Sequence, residues 1–334
     1  MKNLIDNGKI VSILIISKNV EHTIKRLMDS IFAQTYPNIE IVCIDSSDDS
    51  TKSILEEYKR NSKFPFKLIF QEPKGCGVAR NTAFNNASGD IITALDSDDY
   101  IPVDYIQKLV RPFNEKNYIA GVYVNGMIVS SAKNFFSDFV KLYEDIMLFN
   151  DEVFFNKPHK YLIATLREVG EEAGEWDENA EVAEDLIHRK KVIEILEKFN
   201  SNGYKLECVD TCFISERQAH TIKDHWKKCM WYAKALVNKN YIKSYKKDSI
   251  SKICASTYIT MLPFMLLILF FLNAQVFVYV VIVMPLLLVM IYIWYKAFLK
   301  GIVTWKLFLL PFYIYYRAFF TFIGILFEIL RKRA

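Results

Sequence analysis

The stretch Ile91-Ile92-Thr93-Ala94-Leu95-Asp96-Ser97-Asp98-Asp99 passes directly from a short apolar run into three carboxylates within four residues. Like charges at that density repel one another unless something positive binds among them. Side chains alternate across an extended chain, so Asp96 and Asp98 fall on one side and can share one hard cation. A metal-bound phosphate is the leading reading. An EF-hand loop opening at Asp96 needs glycine at its sixth place and an acid at its twelfth, where Ile101 and Gln107 stand. The bland alternative is a solvated turn in which Asp99 caps a helix starting near Pro102.

Working outward, apolar runs alternate with amphipathic ones: strand Ile10 to Ile16, helix Val20 to Phe32, strand Ile39 to Ile44, helix Asp48 to Tyr58, strand Phe66 to Phe70, helix Val78 to Asn86, then the strand Ile91 to Leu95. Such alternation, with near-continuous apolar strands, predicts an α/β fold with a mostly parallel sheet covered on both faces. Ligands of these sheets bind at the carboxyl ends of the strands. Those ends read Ser17-Lys18-Asn19, Asp45-Ser46-Ser47-Asp48-Asp49, Glu72-Pro73-Lys74-Gly75 and Asp96-Ser97-Asp98, so polar chemistry converges on one edge. Asp45 directly follows a buried strand, where its carboxylate can accept from a base N–H or from ribose hydroxyls; helix capping is its other reading.

The second half changes character. Of 334 residues with net charge +4, Tyr258 to Leu272 and Val276 to Tyr292 are nearly charge-free and are joined by Asn273-Ala274-Gln275. Each approaches the ~20 apolar residues of a bilayer-crossing helix, which predicts a membrane hairpin with spans about 255–274 and 276–297. Lys243, Lys246, Lys247 and Lys252 precede it and Lys296, Lys300 and Lys306 follow it, so the globular part is expected on the cytoplasmic side of the cell membrane. The segment about 302–331 is apolar and aromatic but carries Lys306, Pro311, Arg317 and Glu328, which favours interfacial helices over a third span. Composition thus divides the chain into residues 1–240, cytoplasmic and globular, and 241–334, membrane-bound. The lysines of Lys223 to Lys252 suit anionic membrane lipids. Nucleic acid is not expected as a partner, because no recognised motif accompanies the charge. The six cysteines show no zinc spacing and are expected to be reduced structural thiols. Met1-Lys2-Asn3-Leu4 opens no apolar signal segment.

Taken together, Val11 to Asn19, the Ile44-Asp45-Ser46-Ser47-Asp48-Asp49-Ser50-Thr51 turn, Gly75-Cys76-Gly77-Val78-Ala79-Arg80-Asn81, Ala87-Ser88-Gly89-Asp90 and Leu95-Asp96-Ser97-Asp98-Asp99 resemble the family 2 glycosyltransferases of the GT-A fold. The resemblance implies inverting transfer from a nucleotide-diphosphate sugar. It places Ser17, Asn19, Asp45, Gly75, Arg80 and Asp96 around the donor, and Asp98 on a Mg²⁺ or Mn²⁺ at the diphosphate. The family's usual opening turn, Pro-Thr-Tyr-Asn, is replaced by Ile16-Ser17-Lys18-Asn19, so stacking on the base is lost there. Further along, Gly174-Glu175-Trp176-Asp177-Glu178 leading to Ala183-Glu184-Asp185 is similar to the family's acceptor segment, which implies Asp185 as general base. A sugar hydroxyl becomes nucleophilic only as a nearby carboxylate takes its proton. The exposed start of an acidic helix is the competing reading of Asp185. His188 and Arg189 are read as a solvated face. The Gln-x-x-Arg-Trp signature of processive synthases is absent at His225-Trp226-Lys227, which favours single-sugar transfer. The expected acceptor is a polyprenyl-linked glycan; polyprenyl phosphate itself and a non-catalytic membrane scaffold are the alternatives.

Overall fold

The computed structural model describes residues 8–129, 134–147, 162–180, 182–215, 221–238, 242, 253–261, 284–299, 301–302 and 304–331. In chain order the elements are β1 Val11–Ser17, α1 Ile24–Phe32, β2 Ile39–Asp45, α2 Thr51–Arg60, β3 Phe66–Phe70, α3 Cys76–Asn86, β4 Ile91–Asp96, β5 Asp99–Tyr100, α4 Tyr105–Glu115 and β6 Ile119–Val129. They continue with α5 Phe135–Met147, β7 Leu162–Leu166, α6 Arg167–Ala173, α7 Glu184–Ser201, β8 Lys205–Ser215, α8 Ile222–Leu236, α9 Met284–Leu299 and α10 Leu310–Arg331. The chain forms two compact units, Met1–Ser130 with Glu152–Arg217, and Ser131–Asp151 with Gln218–Ala334. These units follow contacts, whereas the division expected at residue 240 follows composition.

The first unit is built on one sheet of order β3-β2-β1-β4-β7-β6-β8-β5. β1 pairs in parallel with β2 and β4, and β2 with β3, which makes the expected parallel core. The sheet is mixed beyond β4, because β7 runs antiparallel to both β4 and β6. Strand alternation decides the layers. Ile13, Ile15, Ile41 and Cys43 pack on one face with Leu27 and Ile31 of α1 and Ile106 and Leu109 of α4. Leu14, Val42, Ile44 and Ile92 face the other way, against Ala79 and Ala83 of α3. Both faces are buried, which is why these strands read as continuous apolar runs.

The amino ends of the parallel strands are clamped by a carboxylate. Glu40, 4% exposed, accepts from Ser12 Oγ at 2.6 Å, from Ser88 N–H and Oγ each at 2.8 Å, and from Lys67 Nζ at 2.8 Å. Burial alone would raise its pKa, but the bonds from Lys67, Ser12 and Ser88 outweigh it and bring the value down to about 2. The carboxyl ends are left to the chemistry described next.

In the second unit, α5 packs with α9 and α10 through Val140, Ile146, Ile293, Ala297 and Tyr313. Among the described residues one helix, α10, is long and apolar enough to cross a bilayer. Pro311 does not break it, since it falls in the first turn, where a missing N–H costs nothing. Most of the expected hairpin, residues 262–283, lies outside the described residues; of the expected second span, 284–297 fall within the helix α9.

Candidate active site

Four strand ends build the site. Ser17 and Asp45 end the neighbouring strands β1 and β2 in register. Asp45 is buried, 1% exposed, and its Oδ1 accepts from both Ser17 Oγ and Ser47 Oγ at 2.7 Å. Its Oδ2 takes the Ser47 N–H at 3.3 Å, so three of roughly four acceptor positions are already used within the protein. Asn19 holds a left-handed backbone, φ 53°, a conformation Asn tolerates, and its Oδ1 accepts from Asp48 N–H at 3.0 Å. The two loops are thereby locked together. Ser50, the N-cap of α2, makes no side-chain cap bond; Asp49 before it accepts from Thr51 N–H at 2.9 Å, and Asp45 takes no part.

Asp96 ends β4 opposite Ile16. The chain then turns rather than staying extended, so the alternation expected for Asp96 and Asp98 does not apply. The turn instead brings carboxylate oxygens of Asp96, Asp98 and Asp99 within 4.8 Å of one another. Asp99 is therefore part of the cluster and not the cap of a following helix: it sits in β5, and α4 begins only at Tyr105. Its Oδ2 accepts the Asp96 N–H at 3.2 Å, and β5 pairs Asp99 with Ser215 of β8. Burial, then the charge of Asp98, push its pKa up to about 7 against the pull of the Ser215 hydroxyl. Asp99 Oδ1, Tyr105 OH and Ser215 Oγ are buried without a hydrogen bond of good geometry. A buried, unsatisfied carboxylate oxygen beside two further acids suits a hard divalent cation.

Arg80, on α3, joins this cluster to the start of α7. Its Nη2 lies 3.4 Å from Asp96 Oδ1, and its Nε donates to Glu184 Oε1 at 3.3 Å. Glu184 opens α7 with Asp185 as the next residue, in the helix's first turn. Burial and the neighbouring Asp185 charge raise the Glu184 pKa, and Arg80 opposes them. Cys76, the first residue of α3 after Gly75, has its thiol pKa raised, by burial first and then by the charge of Glu184, with Arg80 opposing.

The segment before α7 is clipped to α3. Asn81 donates to Trp176 O at 3.1 Å and to Glu178 Oε1 at 3.0 Å, and accepts from Trp176 N–H at 2.8 Å. Gly77 permits the approach: a Cβ there would stand 2.5 Å from Asp177 O. His188 is 4% exposed and stacks on Trp176 at 3.7 Å and 7°, with Nε2 2.8 Å from Gly174 O. The solvated face expected for His188 is thus wrong, because its ring is covered by an indole that lies twelve residues upstream. Burial lowers its pKa to about 4, so it is neutral near pH 7. Spacing from Glu184 by one helical turn is the signal that could have flagged it.

The model of glycosyl transferase family 2 matches residues 12–170, which spans β1 through α3, the acid cluster and on into α6. The chain carries a family 2 glycosyltransferase domain. Its α/β sheet with helices on both faces is the GT-A architecture expected from the sequence. Relatives include the glycosyltransferase GlyA of Streptococcus pneumoniae, 38% identical over 108 residues, covering 31% of this chain and 15% of that protein. A UDP-Glc:alpha-D-GlcNAc-diphosphoundecaprenol beta-1,3-glucosyltransferase of Escherichia coli, WfgD, is 39% identical over 124 residues, covering 36% of this chain and 47% of that one. Chondroitin synthase of Escherichia coli is 33% identical over 130 residues, covering 39% and 19%. The chain thus spans less than half the length of each of these relatives. Among solved structures, the mannosyltransferase PcManGT of Pyrobaculum calidifontis aligns with a TM-score of 0.47 at 19% identity, over 69% of this chain and 64% of that one.

Proposed function

We propose that the chain is an inverting, metal-dependent glycosyltransferase that moves a single sugar from a UDP- or GDP-sugar to a lipid-linked glycan at the cytoplasmic face of the membrane. The observation that carries the reading is Arg80, which ties the Asp96–Asp98–Asp99 cluster to the start of the helix bearing Asp185. A donor-binding group and an acceptor-activating group are thereby held to one another.

Asp98, with Asp96 and Asp99 beside it, would hold Mg²⁺ or Mn²⁺; such an ion neutralises the diphosphate as it departs. Asp45, with Ser17 and Asn19 fixing its loop, faces the nucleoside, and Gly75 at the mouth of α3 leaves room for phosphate. Arg80 keeps Asp96 oriented and adds positive charge near the leaving group. Asp185 takes the proton of the acceptor hydroxyl as it attacks the anomeric carbon from the face opposite the diphosphate, which inverts that centre. The lipid-linked acceptor is supported by the diphosphoundecaprenol acceptor in the name of WfgD and by the apolar helix α10.

A thermal-shift screen of UDP- and GDP-sugars with and without Mn²⁺ tests the reading directly, since a ligand that binds the native state raises its melting temperature. Metal-dependent stabilisation by one donor is expected. Absence of metal-dependent binding for every donor would overturn it.

A further inference from the structure

The second unit holds a pair of helices packed side by side. α10 packs alongside α8 over several turns: Tyr313 OH lies 2.7 Å from His225 Nε2, Tyr316 OH donates to Ile222 O at 2.9 Å, and the Phe320 and Trp226 rings are 6.0 Å apart. Near the other end, a Cβ added to Gly324 would stand 2.6 Å from Ala233 Cβ. Contact therefore advances in the same direction along both helices, and the pair moves as one body. The polar residues of α10 are used inside this unit. Arg317 sits 4.6 Å from the Tyr143 ring, and Glu328 is paired with Arg331 at 2.9 Å. About a quarter turn round α10 from this contact, Phe312, Ile323, Leu326 and Leu330 are all exposed, with Phe312 at 73%. α8 turns its exposed side away from α10, and that side carries Lys223, Asp224 and Lys227, with Lys228 and Lys234 at its margins.

A helix of 22 residues is about 33 Å long, enough to cross a hydrocarbon core of about 30 Å. Length alone would permit a span. But α8 must go wherever α10 goes, and each central Lys or Asp facing lipid costs about 2.5–3.5 kcal/mol on insertion scales. A crossing α10 would carry several such charges with it. Lying flat avoids this cost: the Phe312 to Leu330 face enters the acyl boundary while α8 stays at headgroup level. Trp226, Trp231 and Trp305, each partly exposed, suit that depth. Cations also stand at both ends of α10, at Lys306 and at Arg331-Lys332-Arg333, so no orientation of a span keeps them on one side.

We infer that α8 and α10 form an in-plane anchor that docks on an anionic bilayer surface without crossing it. This rests on the membrane location given under the proposed function. Four lysines against one aspartate on α8, and the basic end of α10, make the surface complementary to anionic headgroups.

The test uses the full chain with one epitope inserted after Gly301 and another after Ala334, probed by protease in sealed vesicles of both orientations. Both epitopes are expected on the same face, whatever the hairpin before them does. Epitopes on opposite faces would overturn the in-plane anchor and leave the membrane location standing. Recovery of the chain in the soluble fraction would remove the membrane location itself. A second arm reconstitutes the protein in phosphatidylcholine vesicles with or without phosphatidylglycerol and follows cleavage at the Ala334 epitope. Severalfold slower cleavage with phosphatidylglycerol is expected, and equal rates would overturn anionic docking. Light scattering of Leu326→Glu covers the remaining occupant: if this variant converts a dimer to a monomer, a second copy covers the face and the inference fails.

Discussion

Arg80 Nε and Glu184 Oε1 stand 3.3 Å apart although 104 residues separate them in the chain, and both side chains are largely buried, 15% and 6% exposed. The contact ties α3, and through it the acids at the end of β4, to the start of α7. Removing one partner of such a pair leaves an uncompensated charge, which costs about 3–5 kcal/mol when burial is complete. Arg80→Met is therefore expected to lower stability by about 3 kcal/mol in urea unfolding. The double variant Arg80→Met/Glu184→Gln should lose clearly less than the two single changes summed; strict additivity would show that the pair is not coupled.

Asp98→Asn should weaken Mn²⁺ binding, measured by calorimetry without substrate, by at least about tenfold, the lower bound seen even for outer-shell changes. Asp99→Asn should weaken it too, because Asp99 holds the Asp96 N–H and anchors the turn to β8. Unchanged Mn²⁺ affinity in both variants would leave the acid cluster without a metal role.

Asp185→Asn should reduce transfer to a sugar hydroxyl by about 10²–10⁴-fold, the usual worth of a positioned base, with donor binding unchanged. A phosphate acceptor needs no proton removed. Full retention of transfer to polyprenyl phosphate by this variant would therefore point to that acceptor.

Gly77→Ala should cost about 1–3 kcal/mol, since its new methyl would stand 2.5 Å from the Asp177 carbonyl. The displaced segment carries Trp176, so the indole emission should shift as its stack on His188 loosens. An unshifted spectrum at native stability would mean that the segment is not clipped to α3 as described.

Glu40 gives the acid dependence. Its folded pKa of about 2 lies below the ordinary 4.5, so the native state binds its proton less tightly than the unfolded chain does. Its contribution is complete above about pH 4.5 and is lost as pH falls toward 2. Stability measured between pH 5 and 2 should fall more steeply for the native sequence than for Glu40→Gln, which is expected to be less stable at pH 7 and nearly flat by comparison.

The parallel core was legible because its strands, buried on both faces, repeat one local pattern. β2 begins at Ile39 and β3 covers Phe66–Phe70 as read from the sequence, and β1 and α3 differ from their expected starts by one and two residues. β5 and β7 were not legible. A two-residue strand has no period, and the antiparallel pairing of Leu166 with Ile91 is made across 75 residues of chain. Asp99 and His188 were misread for a related reason: each has the local look of a surface residue, and only a distant element, β8 for one and Trp176 for the other, buries it.

The sequence by itself determined the α/β class, the edge on which the polar residues gather, the acids at the end of β4 and the family, since all of these are written in runs of neighbouring residues. Tertiary structure alone decided that Asp99 joins Asp96 and Asp98, that Arg80 is shared between Asp96 and Glu184, and that α10 travels with a lysine-bearing companion. Burial and charge pairing depend on which distant surfaces meet. Local spacing does not encode those meetings.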